Sequence, residues 1–443
     1  MISELKLHHI GPVPDLTAEF GERLNLITGD NGLGKTFLLD ACWYALTRTW
    51  AGGDKRAFYP SAYSPKSSVS AIEYSVIGKT GKAAGNRAEF QFKSQTWTPK
   101  QARPAMPGLV IYARIDGGFS VWDPARNYWR DDEAEARRPD AYHFTNDHVW
   151  NGLEQGEGSR KDYLCNGLIR DVDSWHAKSN GSISLLQKVL EALSPNESER
   201  LQIGNSVRVR VDDVRDTPTL EMPYGPVPVT QTAAGMRRVL GLAYLLVWAW
   251  EEHQKAAQLQ KEAPTNRIVL LFDEIEAHLH PRWQRLFLPA LLKVIDGLLL
   301  KGKAKAKSVQ FIVTSHAPLV LGSVESTWDE SRDHLYDFDL IKGAKGKPTI
   351  RFSELDFAKH GSAENWLESE SFDLDSGYAP DAEKAMKRAD AFMLKYSDPN
   401  KAPLKEVEGV HAELLNALGG DDEYMPYWLP YYDRRSKKKG RGK

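Results

Sequence analysis

The stretch Gly29-Asp30-Asn31-Gly32-Leu33-Gly34-Lys35-Thr36 constrains this chain more than any other. It fits G-x-x-x-x-G-K-[ST] in full. It also stands where its mechanism requires, after the apolar strand Leu24-Asn25-Leu26-Ile27-Thr28 and at the start of a helix expected from about Lys35 to Thr47. Glycines let backbone N–H groups turn inward around phosphate oxygens, and a helix start adds partial positive charge. Lys35 is placed to reach β- and γ-phosphates, and the Thr36 hydroxyl to ligate Mg²⁺. Gly29 through Thr36 are therefore the candidate residues for binding ATP with Mg²⁺, and this part of the chain must be α/β.

A phosphate loop needs an acid for magnesium. The run Arg267-Ile268-Val269-Leu270-Leu271-Phe272-Asp273-Glu274 offers a buried strand that delivers two carboxylates at its C-terminal end, the edge where open α/β sheets bind ligands. Asp273 is the candidate metal ligand beside Thr36, and Glu274 the general base for an attacking water.

Composition sets the outer bounds. With 41% hydrophobic and 27% charged residues the chain is globular rather than disordered. Its net charge of −2 gives no global basic field for nucleic acid. Seven Lys or Arg fall within residues 434–443, which leaves the rest at −9, so any DNA or RNA contact must be local. Two cysteines, Cys42 and Cys165, are too few for a disulfide framework. The N-terminus lacks a signal-peptide pattern, and the longest apolar run, Val239 to Trp250, is too short to span a bilayer. A soluble cytoplasmic protein without membrane contact is the expectation.

Along the chain, Ile2 to His8 and Leu16 to Phe20 alternate as strands. Ala71 to Ile77, Ala88 to Phe92, Leu109 to Arg114 and Phe119 to Trp122 read as antiparallel hairpins. From about 145 to 200 the pattern turns helical, and Val207 to Val211 with Thr219 to Met222 reads as a strand pair. A long apolar helix runs from Met236 to about Gln260, and a buried strand from Val309 to Thr314. A hairpin follows after 335, then amphipathic helices near 380–397 and 404–418. The predicted domains are an ATPase lobe with phosphate loop and antiparallel β region (1–145), a helical lobe (146–235), an ATPase core (236–350), a C-terminal helical extension (351–433) and a basic tail (434–443).

Two more elements carry a resemblance. Thr232-Ala233-Ala234-Gly235-Met236 opens the long helix, and Phe311-Ile312-Val313-Thr314-Ser315-His316 is a strand ending in histidine. In order and spacing the chain resembles the ABC-type ATPase head of the SMC, RecF and OLD group. That resemblance implies a mixed sheet flanked by helices plus an antiparallel β subdomain. It makes Ala234 and Gly235 the signature offered to the nucleotide of a partner subunit, and His316 the switch at the γ-phosphate. Glu274, His316 and Lys35 are then the catalytic set. Glu276-Ala277-His278-Leu279-His280-Pro281 matches the family's segment at the dimer interface, which disfavours a metal site at His278 and His280. The signature departs from the family where serine usually stands and this chain has Ala233; Thr232 is the candidate substitute. Tyr142 to Asp147 is the candidate glutamine loop. Such heads work as a homodimer or higher homo-oligomer, because each loop completes half a site.

Lys35 and Gly235 are too close in sequence for a long coiled coil, and too few residues follow Glu406-Val407-Glu408-Gly409-Val410 for a TOPRIM nuclease. In detail the chain resembles the PtuA-like ATPases of Septu and retron anti-phage systems. The stretches that carry this are Cys165 to Arg170, Ala234 to Glu252, Asp273 to Trp283, Ala363 to Leu367 and Phe372 to Ser376. That family implies a separate HNH-type nuclease held or licensed by the ATPase. A RecF-like repair clamp and a nucleotide-gated scaffold with negligible turnover are the rival expectations. The aromatic run Glu423 to Tyr432 either docks a partner or covers its own domain. The lysines 301, 303, 305 and 307 read as a solvated connector.

Overall fold

A computed structural model describes residues 1–13, 15–53, 69–99, 104–128, 139–156, 162–178, 181–196, 199–295, 297, 308–342, 348–372, 374 and 376–436. The lysine connector (301–307), Asp373, Asp375 and tail residues 437–443 lie outside them. The chain forms two compact units, Met1–Trp366 and Leu367–Lys443.

The first unit is organised by five parallel strands, in the order Asp333–Lys342, Leu24–Gly29, Ser308–Thr314, Arg267–Phe272 and Leu109–Ala113. In Arg267–Phe272 and Leu109–Ala113 near-continuous hydrophobicity makes strands buried on both faces, as the interior of a parallel sheet requires. Pro348–Leu355 adds an antiparallel strand at one end, and Phe119–Trp122 and Tyr142–Phe144 at the other, giving eight strands. Register aligns the C-terminal ends: Ile27 lies opposite both Thr314 and Tyr336, and Phe272 opposite both Val313 and Ala113. The residues that follow these strands therefore share one edge.

A second, antiparallel sheet holds Asp15–Glu19, Ile2–His8, Ala71–Ile77, Ala83–Gln91 and Thr96–Pro99 in that order. The helix Lys35–Thr47 sits in the core between the sheets. Its Leu38, Leu39, Cys42, Trp43 and Leu46 belong to one cluster with Ile2, Leu5, Ile72 and Val76 from this sheet and Ile27, Leu271 and Ile312 from the other. A helix apolar on most of its circumference is what such a position demands. Gln310 staples the sheets: it accepts from the Ile2 N–H at 2.9 Å and donates to the carbonyls of Ile2 and Gly21 at 2.8 Å each.

The α/β class holds, with local corrections. Leu109–Ala113 forms the expected hairpin with Phe119–Trp122 and, on its other edge, also pairs in parallel with Arg267–Phe272, which places its five consecutive apolar residues, all buried, inside the main sheet. The stretch 145–200 contains the helices Asn146–Asn151, Leu168–Ala177 and Gly181–Leu193, but also a hairpin of Leu153–Gln155 with Asp162–Cys165. Val207–Arg208 pairs with Asp216–Thr217, whereas Thr219–Met222 pairs with Gly225–Pro228, since Gly225, at φ 118°, closes a tighter turn. Residues 351–366, assigned from sequence to the C-terminal extension, complete a strand and belong to the first unit.

The second unit packs Pro380–Lys395, Leu404–Leu418 and Met425–Ser436 around Ala385, Ala389, Phe392, Val407, Val410 and Leu414. The aromatic run supplies much of this core. Trp428 is fully buried with Nε1–H donating to His411 Nδ1 at 3.2 Å, and Met425 and Tyr431 are buried beside it, while Tyr427 points outward at 65% exposure. Of the two readings of the run, covering its own domain accounts for these residues. Among the described residues, no helix is long and apolar enough to cross a membrane.

Candidate nucleotide site

The phosphate loop leaves one strand and enters the helix Lys35–Thr47 through glycines that other residues could not replace. Gly34 has φ 116°, and a Cβ there would lie 2.5 Å from Pro12 Cγ; a Cβ on Gly29, at φ 120°, would strike the Phe338 carbonyl. Gly34 is the N-cap and bears no side chain to satisfy the first turn, so the helix-start amides remain for an anion. Lys35 Nζ donates to the carbonyls of Gly29 at 2.6 Å and Asp30 at 3.0 Å, spanning the loop. Burial lowers the Lys35 pKa, opposed by Glu274, Glu276, Asp273 and Asp30. Asp30, Asn31 and Gly32 are exposed, while Leu33 is buried.

Asp273, 1% exposed, follows the strand Arg267–Phe272 and is held from two sides. Thr36 Oγ1 donates to its Oδ2 at 2.8 Å, and Thr314 Oγ1 to its Oδ1 at 2.9 Å. Burial raises the carboxyl's pKa, and both threonines resist the shift. A carboxylate and a hydroxyl side by side are hard oxygen donors of the kind Mg²⁺ takes, with water filling its remaining positions. The residues present therefore fit Mg²⁺ with a polyphosphate, Asp273 and Thr36 on the ion and Gly29 through Lys35 around the phosphates.

Glu274 is next, in an uncommon conformation for a non-glycine residue, φ 48°, with its N–H donating to Thr314 Oγ1 at 2.8 Å. Thr314 thus fixes both acids. His316 follows two residues later. Its Nδ1 stands 3.0 Å from Glu276 Oε1 and 3.8 Å from Glu274 Oε1, and its backbone N–H donates to Glu276 Oε1 at 2.7 Å. His316 has a raised pKa, chiefly through its bond to Glu276.

Lys35, Thr36, Asp273, Glu274 and His316 are thus brought to one sheet edge. Ala234 and Gly235 lie elsewhere: among the described hydrogen bonds none joins them to the phosphate loop, and Gly235 packs against the His278 carbonyl. Ala233 and Ala234 are exposed at the start of the helix Ala234–Leu259. Thr232 does not replace the missing serine, because it is buried and its hydroxyl donates to Val229 O at 2.8 Å. His280 caps the short helix Pro281–Gln284, and no group of three or more His, Cys, Asp or Glu among the described residues could hold a metal. In the candidate glutamine loop, Tyr142–Phe144 is a sheet strand, and Thr145 caps the helix Asn146–Asn151 through a capping box with His148.

Four residues escaped the sequence reading. Thr314 and Glu276 organise the acids and the histidine. Asp40 lies one turn beyond Thr36 on the same helix, a spacing that marks one face; burial first, then the nearby Asp273 charge, push its pKa up to about 7 against a hydrogen bond from Tyr112. Arg238 donates to Arg114 O at 2.7 Å and so ties the helix Ala234–Leu259 to the end of Leu109–Ala113.

Residues 4–180 match a domain family described as "AAA domain", and residues 206–322 one described as "AAA domain, putative AbiEii toxin, Type IV TA system". The first stretch holds the phosphate loop and the second holds Gly235, Asp273, Glu274 and His316. Both stretches thus match AAA-type ATPase domain families. A curated relative, "Retron Ec83 probable ATPase" from Escherichia coli, is 40% identical over 78 residues, 18% of this chain and 12% of that protein's length. Solved structures similar to the chain include an SMC head domain from Thermotoga maritima (14% identity, TM-score 0.39, covering 80% of this chain and 99% of that one). Another is the recombination mediator RecF with ATPrS (13%, TM-score 0.36, 76% and 95%). Both likenesses are distant.

Proposed function

We propose that this chain binds MgATP, closes as a homodimer with Ala234 and Gly235 of each copy against the other's nucleotide, hydrolyses ATP, and by that cycle regulates a partner HNH-type nuclease in anti-phage defence. The observation that carries the catalytic part is the junction of Thr36, Asp273 and Thr314, which sets Glu274 and His316 beside the phosphate loop. Gly29 through Thr36 would hold the phosphates, and Thr36 with Asp273 the metal. Bound Mg²⁺ would neutralise charge on the phosphate oxygens. Glu274 would orient and deprotonate water, Lys35 would leave the loop carbonyls for phosphate oxygens, and His316 would contact the terminal phosphate. The exposed Ala233 and Ala234 support a signature offered to a second copy, since they have no cover in their own. The short match to a retron ATPase supports the defence role.

A nucleotide-gated scaffold with slow turnover is a second reading, favoured by the absent serine at Ala233 and the engaged hydroxyl of Thr232. A RecF-like clamp on DNA is the third. Co-expression with the neighbouring genes, followed by mass determination with and without MgATP, separates the defence reading from the clamp, and ATP turnover separates both from the scaffold. An HNH nuclease in a nucleotide-dependent complex supports the defence reading. A complex holding DNA and no nuclease overturns it in favour of the clamp.

A further inference from the structure

We propose that Glu276 is the positioning residue for His316: its buried carboxylate holds the ring with Nδ1–H toward itself and leaves Nε2 as the nitrogen that meets the terminal phosphate of a bound nucleoside triphosphate. The inference rests on reading the site as an ATP site. Glu276 Oε1 accepts the His316 backbone N–H at 2.7 Å and faces Nδ1 at 3.0 Å, so main chain and ring are gripped by one atom. Glu274, the general base, is out of hydrogen-bond range at 3.8 Å. The Glu276 side chain is 4% exposed, and its Oε2 is buried without a partner among the described residues. A buried carboxylate so poorly solvated needs a cation opposite, and His316 is the group in place to be one.

The charges facing the ring are Glu276 and Glu274 from the turn after the strand Arg267–Phe272, and Lys35 from the loop helix. The two acids raise the ring's pKa, while burial and Lys35 lower it; Glu276, despite its burial, is held below the usual carboxyl range by His316. The ring nitrogens then divide their work. With Nδ1–H committed to Glu276, a neutral ring presents a lone pair at Nε2, which repels a phosphate oxygen, whereas the imidazolium presents a donor. Preference for a triphosphate over a diphosphate therefore follows the charge on His316 and weakens as pH rises. Glu276 acts only through the histidine.

The test uses the full chain and two readouts. ¹⁵N-histidine NMR, with His316 assigned by its loss in His316→Ala, reports tautomer and titration without nucleotide. Wild type should show Nδ1–H in the neutral form. Glu276→Gln, which keeps an acceptor oxygen for both bonds, should titrate lower by about 1 pH unit. A neutral Nε2–H form, or a Glu276→Gln midpoint equal to wild type, overturns the proposal. Fluorescent ATP and ADP affinities between about pH 6 and 9 give the second readout. The ATP-over-ADP preference should weaken with pH in wild type, weaken at lower pH in Glu276→Gln, and be smaller and independent of pH in His316→Ala. If His316→Ala keeps the wild-type preference, the placing of His316 at the terminal phosphate fails, and with it the phosphate half of this proposal; the NMR result still decides whether Glu276 sets the ring.

Discussion

Thr36 and Asp273 stand 237 positions apart in sequence and 2.8 Å apart in the structure, hydroxyl donating to carboxylate. That bond joins the start of the loop helix to the end of an apolar strand, and its two residues are the ones that would hold a divalent cation. Thr314 holds the other oxygen of Asp273 at 2.9 Å.

Lys35→Ala removes the ammonium that spans the loop carbonyls. Hydrogen bonds to a charged group contribute about 1.5–3 kcal/mol, so affinity for a fluorescent ATP analogue should fall at least ~10-fold. Unchanged affinity by equilibrium titration would remove Lys35 from the phosphate site.

Gly235→Ala places a Cβ 2.7 Å from the His278 carbonyl oxygen. The start of the helix Ala234–Leu259 must then shift away from its own 278 turn. Circular dichroism should show a folded chain, while sedimentation should show MgATP-dependent dimer lost or weakened. Dimerisation equal to wild type would mean that this surface is not the one offered to a second copy.

Asp40 gives a pH prediction. Its folded pKa is pushed up to about 7 from an ordinary 3.8, so between those values the unfolded chain releases this proton before the folded one does. Stability contributed through Asp40 therefore falls as pH rises across that window. Asp40→Asn keeps an acceptor for Tyr112 and removes the charge. Thermal unfolding should show the variant more stable than wild type at pH 8 and nearly equal at pH 4; a constant difference would assign the effect to packing.

Trp428→Ala should destabilise the helical unit by about 3–5 kcal/mol, the usual cost of emptying a buried tryptophan site. The exposed Tyr427→Ala should stay within about 0.5 kcal/mol. Urea unfolding of both variants checks the pair, and equal effects would contradict the burial of Trp428.

What the sequence made legible was whatever local chemistry and strand order determine. Gly29 to Thr36, Asp273, Glu274 and His316 could be read because a phosphate loop, an apolar run ending in acids and a strand ending in histidine each carry their signal within a few residues. Glu276 could not be read as the partner of His316, since that pairing depends on two neighbouring parallel strands in one register. Thr314 was hidden for the same reason, as an ordinary last residue of a strand. The aromatic run was ambiguous because Trp and Tyr serve equally in cores and at interfaces; only the helix Met425–Ser436, which turns Trp428 inward and Tyr427 outward, separates the two. The hairpin of Leu109–Ala113 with Phe119–Trp122 was legible, whereas the parallel pairing of Leu109–Ala113 with Arg267–Phe272 was not, because that partner is far along the chain.

The most direct measurement is ATP turnover of wild type against Glu274→Gln, with the mass of each determined in MgATP. Replacing a general base costs about 10²–10⁴ in rate. Wild type should hydrolyse ATP, and Glu274→Gln should lose at least ~100-fold of that rate while accumulating as the nucleotide-bound dimer. Equal turnover by the two proteins, with both monomeric in MgATP, would contradict the assignment of this edge as a hydrolytic site closed by a second copy.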